Sequence, residues 1–301
     1  MRPLTRTLLA LGLAAAGGPA AAHGGAPVSD VPPWTLDPVV TVPLALSLLL
    51  FVLGWRRLAA RSGQGLPGLK RRAGLFAAGW LTLAGAVISP LHAAGERSFA
   101  AHMFEHELLM LVAAPLLVMS EPLAVMLWAF PKRGRRFLAS AARSSAVAGP
   151  WRLLTQPVAA TLLQAAALWL WHAPRLFERA LLIDGWHVAQ HLSFLVSALF
   201  FWSAMLHRRP RQHGVAVLCL FATSVVSGAL GALMAFSPSP WYGAYANLGM
   251  APFGLTPLED QQLAGLLMWV PGGAVHAGAA LAMIAAALKG LNAGGAYAGQ
   301  S

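Results

Sequence analysis

The sequence predicts an all-α fold, a polytopic transmembrane bundle of seven helices, and three observations predict it. Of the 301 residues, 57% are hydrophobic and only 10% charged, whereas a soluble domain carries about 25% charged residues. The apolar residues gather into several runs of about 20, the length that crosses a bilayer. The Lys and Arg residues, which leave a formal charge of +11, fall almost wholly between those runs. In a soluble chain such a charge would point to nucleic acid. Here topology and contacts with membrane lipids account for it, and no nucleic-acid partner is expected.

The elements follow in chain order. Residues 1–22 read as a signal peptide or N-terminal anchor: Arg2 and Arg6 precede a short apolar run, and Pro19-Ala20-Ala21-Ala22 offers a small-residue cleavage site. Residues 23–37 form an extracytoplasmic segment, 38–289 the seven-span membrane domain and 290–301 a cytoplasmic tail. The first span covers residues 38–55 and is followed by Arg56, Arg57, Arg61, Lys70, Arg71 and Arg72. The second covers about 73–91 and the third 101–119, where Pro115 and Pro122 predict a kink or a break before the apolar tail 123–130. Lys132, Arg133, Arg135, Arg136, Arg143 and Arg152 come next. The fourth span covers 155–171 and the fifth 186–206, which ends at Arg208, Arg209 and Arg211. The sixth covers 215–236, with small-residue faces Ser224/Gly228/Ala232 and Ser227/Gly231/Ala235 suited to close helix packing. The seventh covers 262–288 and ends at Lys289.

Basic residues therefore crowd alternate loops, while the opposite loops hold only Arg97, Arg175 and Arg179. The positive-inside rule puts the mature N-terminus outside and the C-terminus inside. Trp34, Trp151, Trp171, Trp186 and Trp241 fall near the span ends, where amphipathic rings anchor.

Histidines carry the functional signal, because an imidazole in or beside an apolar helix is costly without a partner. His92, His102, His106, His172, His187 and His191 all fall at the outward-facing ends of spans. His102 with His106, and His187 with His191, are spaced by four, which puts both rings of each pair on one helix face. Facing each other, the two pairs would converge four imidazoles on one ion, or form a hydrogen-bonded network without metal. Glu105, Gln190 and Asp260 could supply the acceptors that fix the tautomer of a ligating imidazole. Asp260 and Glu259 equally suit the first turn of the last helix. Met103 offers a thioether beside the first pair. Thioether with imidazole suits Cu(I); imidazole with carboxylate suits zinc, iron or Cu(II). His276 sits deeper, after Pro271-Gly272-Gly273, a sequence expected to loosen the last helix and free backbone groups.

Several classes are disfavoured. There is no Walker loop, dinucleotide Gly pattern, HExxH or repeated Cys pair, and the one cysteine, Cys219, lies in an apolar run. An NTPase, a nicotinamide enzyme or a metalloprotease would need one of these.

Three blocks of sequence resemble the CtaG-type cytochrome c oxidase assembly factors. They are His102-Met103-Phe104-Glu105-His106-Glu107 with Ala114-Pro115 and Glu121-Pro122; Trp171-His172-Ala173-Pro174 with His187-Val188-Ala189-Gln190-His191; and Pro240-Trp241-Tyr242 through Leu258-Glu259-Asp260-Gln261-Gln262 to Trp269-Val270-Pro271-Gly272-Gly273. The resemblance implies a non-enzymatic, multi-pass protein of the bacterial cytoplasmic (inner) membrane that matures a haem-copper oxidase. It would act as a metal-binding chaperone, taking copper at the outer face from a periplasmic copper carrier and passing it to a cytochrome c oxidase subunit. On this reading His102, His106, His187 and His191 hold the metal, and His172, Met103 and His92 are additional ligands or transfer groups. Glu105, Gln190 and Asp260 surround them, and His276 is a separate deep polar site. Glu105 and Gln190 stand exchanged relative to the form expected of the family, which alters the charge balance. A metal-free scaffold for oxidase assembly and a haem-binding electron-transfer protein are the alternatives.

Overall fold

The computed structural model describes residues 34–63, 65–207, 213–251 and 254–298, with side chains up to residue 289. The signal-like segment 1–22, most of segment 23–37, Arg208, Arg209 and Arg211, and the side chains of 290–301 lie outside the described residues.

The described chain is helical, and the apolar helices make it a membrane protein. In order they are α1 (Pro38–Ala59), α2 (Leu66–Ile88), α3 (Pro90–Gly95), α4 (Phe99–Ser120), α5 (Pro122–Met126), α6 (Lys132–Arg143), α7 (Ser145–Leu154), α8 (Pro157–Trp171), α9 (Pro174–Leu182), α10 (Asp184–Leu206), α11 (His213–Ala235), α12 (Gly243–Ala246) and α13 (Pro257–Ala298). Among the described residues there is no strand, only an isolated bridge between Ala251 and Leu255.

Five helices are long and apolar enough to cross a membrane: α1, α4, α10, α11 and α13 up to Lys289. A sixth crossing is possible if α7 and α8 count as one span, bent by 75° at its break. The break is local chemistry. Pro157 has no N–H to continue the ladder and disfavours helical geometry at Gln156, which is extended. Helix α2 is 23 residues long but carries Lys70, Arg71 and Arg72 near its start, and it is not among the five.

Helix α8 shows how a helix of the bundle sorts its faces. On α8, Ala160, Gln164 and Leu168, four apart, are buried, while Val158, Leu162 and Leu170 are exposed. Helices α11 and α13 approach most closely through glycine. A Cβ on Gly231 would lie 2.6 Å from the Gly265 carbonyl, and one on Gly265 would strike the Gly231 carbonyl in turn. Gly228 and Gly231, one from each of the two small-residue faces, both lie against Trp269 of α13.

The kink expected around Pro115 takes another form. Residues Leu108–Ala113 of α4 wind as a π-helix, with the Ala114 N–H reaching Leu109 O. In that wider register the Met110 carbonyl faces residue 115, which as proline has no N–H to give. Trp202 of α10 supplies its indole N–H to Met110 O instead, at 2.8 Å. The chain breaks after Ser120, where Glu121 adopts φ 48° and Pro122 starts α5.

The Pro-Gly-Gly segment does not break α13, which runs unbroken through Pro271. His276 lies in that helix, buried, with Nδ1 donating to Gly272 O at 2.7 Å.

Candidate functional site

Three helix starts assemble the site. Ser89 caps α3, accepting from Leu91 N, and Pro90 occupies the first turn, which sets His92 one helical turn further on. Ser98 caps α4, accepting from Ala101 N, and α4 carries His102, Glu105 and His106 in its first turns. The short helix α9 leads into α10, which carries His187, Gln190 and His191.

Five of the candidate histidines come together. Spacing by four stacks each pair as expected: ring centroids are 4.4 Å apart for His102 and His106, and 4.5 Å for His187 and His191. The two pairs face each other, with His102 5.3 Å from His187 and His106 4.9 Å from His191. His92 closes the group from α3, stacked 5.1 Å from His187 and 5.7 Å from His191. The ligand nitrogens of His92, His187 and His191 lie within 4.8 Å of one another, a spacing that one ion could bridge. His92, a subsidiary candidate by sequence, is thus in the tightest triplet.

Glu105 is the charged centre of this cage. Its Oε1 lies 2.9 Å from His92 Nδ1 and 3.1 Å from His191 Nε2, and the residue is fully buried. His92 stands just outside the spans, and its pKa shows the balance of forces. Burial alone would lower it, but the Glu105 carboxylate and the more distant Glu96 raise it above the ordinary histidine value.

The other candidates take different places. His172, at the end of α8, donates from Nδ1 to Leu168 O at 2.6 Å, and its Nε2 lies 3.3 Å from Met103 Sδ. Burial lowers its pKa to about 4, against the opposing pull of the Leu168 carbonyl. Phe177, 5.3 Å from His102 and 6.0 Å from His172, stands beside both rings, and Phe194 stands likewise beside His106 and His172. Gln190 is fully buried, and both of its amide atoms are without a hydrogen-bond partner. Asp260 makes no hydrogen bond or ion pair with a histidine among the described residues: it accepts from Ser98 Oγ and from the backbone N–H of Phe99 and Ala100, capping α4 from across the bundle. His276, deep in α13, stacks on Trp202 and does not join the cage.

Sequence reasoning gave no role to two tyrosines, although Tyr242 stands in one of the family-like blocks. Tyr245 donates to the Gly95 carbonyl at 2.6 Å, and Tyr242 to the His172 carbonyl at 2.9 Å. The chain has only three tyrosines, and two of them within four residues of each other was the available signal. Gly95 was missed as well. A Cβ there would lie 3.3 Å from the His102 backbone and 3.5 Å from Glu105 Oε2, so a side chain would push α3 off α4.

The donor set fits a small cation. Both ring nitrogens of His102 and of His106, His187 Nε2 and Glu105 Oε2 are buried without a hydrogen-bond partner. Buried polar atoms are seldom left so, and their concentration at one place is what a metal would satisfy. Neutral imidazoles around one carboxylate suit a transition-metal ion.

A family described as cytochrome c oxidase caa3 assembly factor (Caa3_CtaG) matches residues 49–289. No curated protein and no solved structure matches the chain.

Proposed function

The chain belongs to the cytochrome c oxidase caa3 assembly factor family, and from that premise we propose that it binds copper as cargo in the histidine cage and delivers it to an oxidase subunit. The primary ligands are His102, His106, His187 and His191, with His92 completing the set. Glu105 supplies the one negative charge. The His172–Met103 pair next to the cage is the entrance or exit. In this reading α2 and the bent α7–α8 pair complete seven spans in a bacterial cytoplasmic membrane. The N-terminus lies outside, and the cage opens on the outer face, within reach of a periplasmic copper carrier.

The observation that carries the proposal is the set of buried imidazole nitrogens without partners. Neutral ligands can be exchanged one at a time without building up charge, as a transfer site needs, and no step of bond-making catalysis is called for. The rings touch one another edge to face and stacked. That packing suits a single ion better than a haem, whose macrocycle would separate two axial imidazoles.

The test is elemental analysis with an absorption spectrum on detergent-purified protein, before and after His106→Ala and His191→Ala. Near-stoichiometric copper with no Soret band, lost in both variants, is expected. Metal-free protein that still rescues an oxidase-deficient strain would overturn the proposal in favour of a scaffold.

A further inference from the structure

None of the cage histidines lines the cavity of about 30 Å³ that lies among α4, α8, α11 and α13. Its polar wall consists of Glu107, Thr161, Gln164, Thr223, Ser227 and His276. All of these sit in apolar helices, where polar side chains face protein and mark ion or proton paths more often than chance.

Thr223 Oγ1 donates to Cys219 O at 2.9 Å, and Ser227 Oγ to Thr223 O at 2.8 Å. Gln164 Nε2 donates to Met110 Sδ at 3.3 Å, and His276 Nδ1 to Gly272 O. Both hydroxyl protons and the proton of a neutral imidazole are thereby used, which leaves lone pairs on the two hydroxyls and on His276 Nε2. Three buried atoms have no partner at all: Glu107 Oε2, Gln164 Oε1 and Thr161 Oγ1. Glu107 is 9% exposed, and no cationic side chain pairs with it among the described residues. The wall is rich in acceptors and poor in donors, around a buried carboxyl group that no cationic side chain faces among the described residues.

We propose that this cavity binds one small, hard, monovalent cation of the sodium type. Glu107 supplies the charge, and Gln164 Oε1, Thr161 Oγ1 and His276 Nε2 are the neutral donors. Size favours a small ion over a bulky organic cation, since the space holds only a few waters. Charge favours a monovalent ion, because a divalent one would leave a net positive charge in the bundle interior. Hardness favours sodium over copper, because oxygens dominate the donor set and the Met110 thioether is engaged by Gln164. An ion here would tie α4, and with it the cage histidines, to three other helices.

The experiment uses the full chain in lipid nanodiscs. The unfolding temperature is measured in sodium chloride and in N-methylglucamine chloride at equal ionic strength. A saturable rise with sodium is expected in the wild type, abolished by Glu107→Gln and by Gln164→Leu. Saturable broadening of the sodium NMR line gives a second readout on the wild type, which needs no variant to fold. An unfolding temperature equal in the two salts would overturn the proposal, as would a sodium effect retained by both variants or stabilisation by Cu(I) alone. His106→Ala and His191→Ala should keep the sodium effect, so a failure here is distinct from a failure of the copper reading.

Discussion

The carboxylate of Asp260, in the first turn of α13, accepts the backbone N–H of Phe99 at 2.6 Å, across 161 residues of sequence. It also takes the Ser98 hydroxyl at 2.7 Å and the Ala100 N–H at 3.3 Å. The first N–H groups of a helix have no partner within it, and the positive end of its dipole favours an anion. The helix that presents His102, Glu105 and His106 is therefore anchored at its start by a residue in the first turn of the last helix.

Asp260→Asn should weaken that anchor without touching the cage. One oxygen becomes an amide N–H₂ facing donors, so at least one buried donor loses its acceptor, at a cost of about 1–3 kcal/mol. A lower unfolding temperature and weaker copper retention are expected. An Asp260→Asn protein that melts and retains copper like the wild type would show that the cap does not set the position of α4.

Tyr245→Phe tests the second anchor. Gly95 ends α3, where carbonyls lack helical partners, and the Tyr245 hydroxyl satisfies one of them. Removing the hydroxyl should cost about 1–2 kcal/mol and loosen His92, because α3 is short and holds that residue near its middle. Hydrogen exchange at 91–96 should rise, while exchange in α11 stays as it was. Unchanged protection of α3 would refute this.

Close packing of α11 on α13 gives a test with an internal control. Gly265→Ala drives a methyl into the Gly231 carbonyl, and overpacking of this kind costs about 1–3 kcal/mol. Gly278, on the same helix, has nothing within 4 Å of where its Cβ would be. Gly278→Ala should be neutral or stabilise the helix by up to about 1 kcal/mol. Thermal unfolding of the two variants reads out the difference, and equal melting temperatures would contradict the packing argument.

How much of this was legible in the sequence follows from the range of each signal. The pairing of His102 with His106 and of His187 with His191 is a property of helical spacing, and the structure brings those rings together. The place of His92 in the triplet depends on how α3 turns after Pro90, for which spacing along one helix carries no information. Asp260 acts through a contact 160 residues away, and nothing local distinguishes it from a carboxylate serving its own helix. The π-helical turn hides in six apolar residues, Leu108–Ala113. Only Pro115, with its missing donor, hinted at it. Pro271 shows the converse, since α13 passes unbroken through a proline that local rules mark as a break.

Glu105 and Gln190 separate the role of charge from that of position. Glu105 bonds His92 and lies against His191, while Gln190, between the two α10 histidines in sequence, is buried with its amide unpartnered. Glu105→Gln removes the carboxylate that contacts His92 and His191. A bound cation then loses its compensating charge, and copper retention should fall although every imidazole remains. If the requirement is one negative charge in the cage, Gln190→Glu added to Glu105→Gln should restore most of the copper, because it returns the carboxylate from the opposite helix. Copper-to-protein ratios for the single and double variants decide it. A double variant no better than the single one would mean that the contacts of Glu105 with His92 and His191, rather than net charge, hold the rings in place.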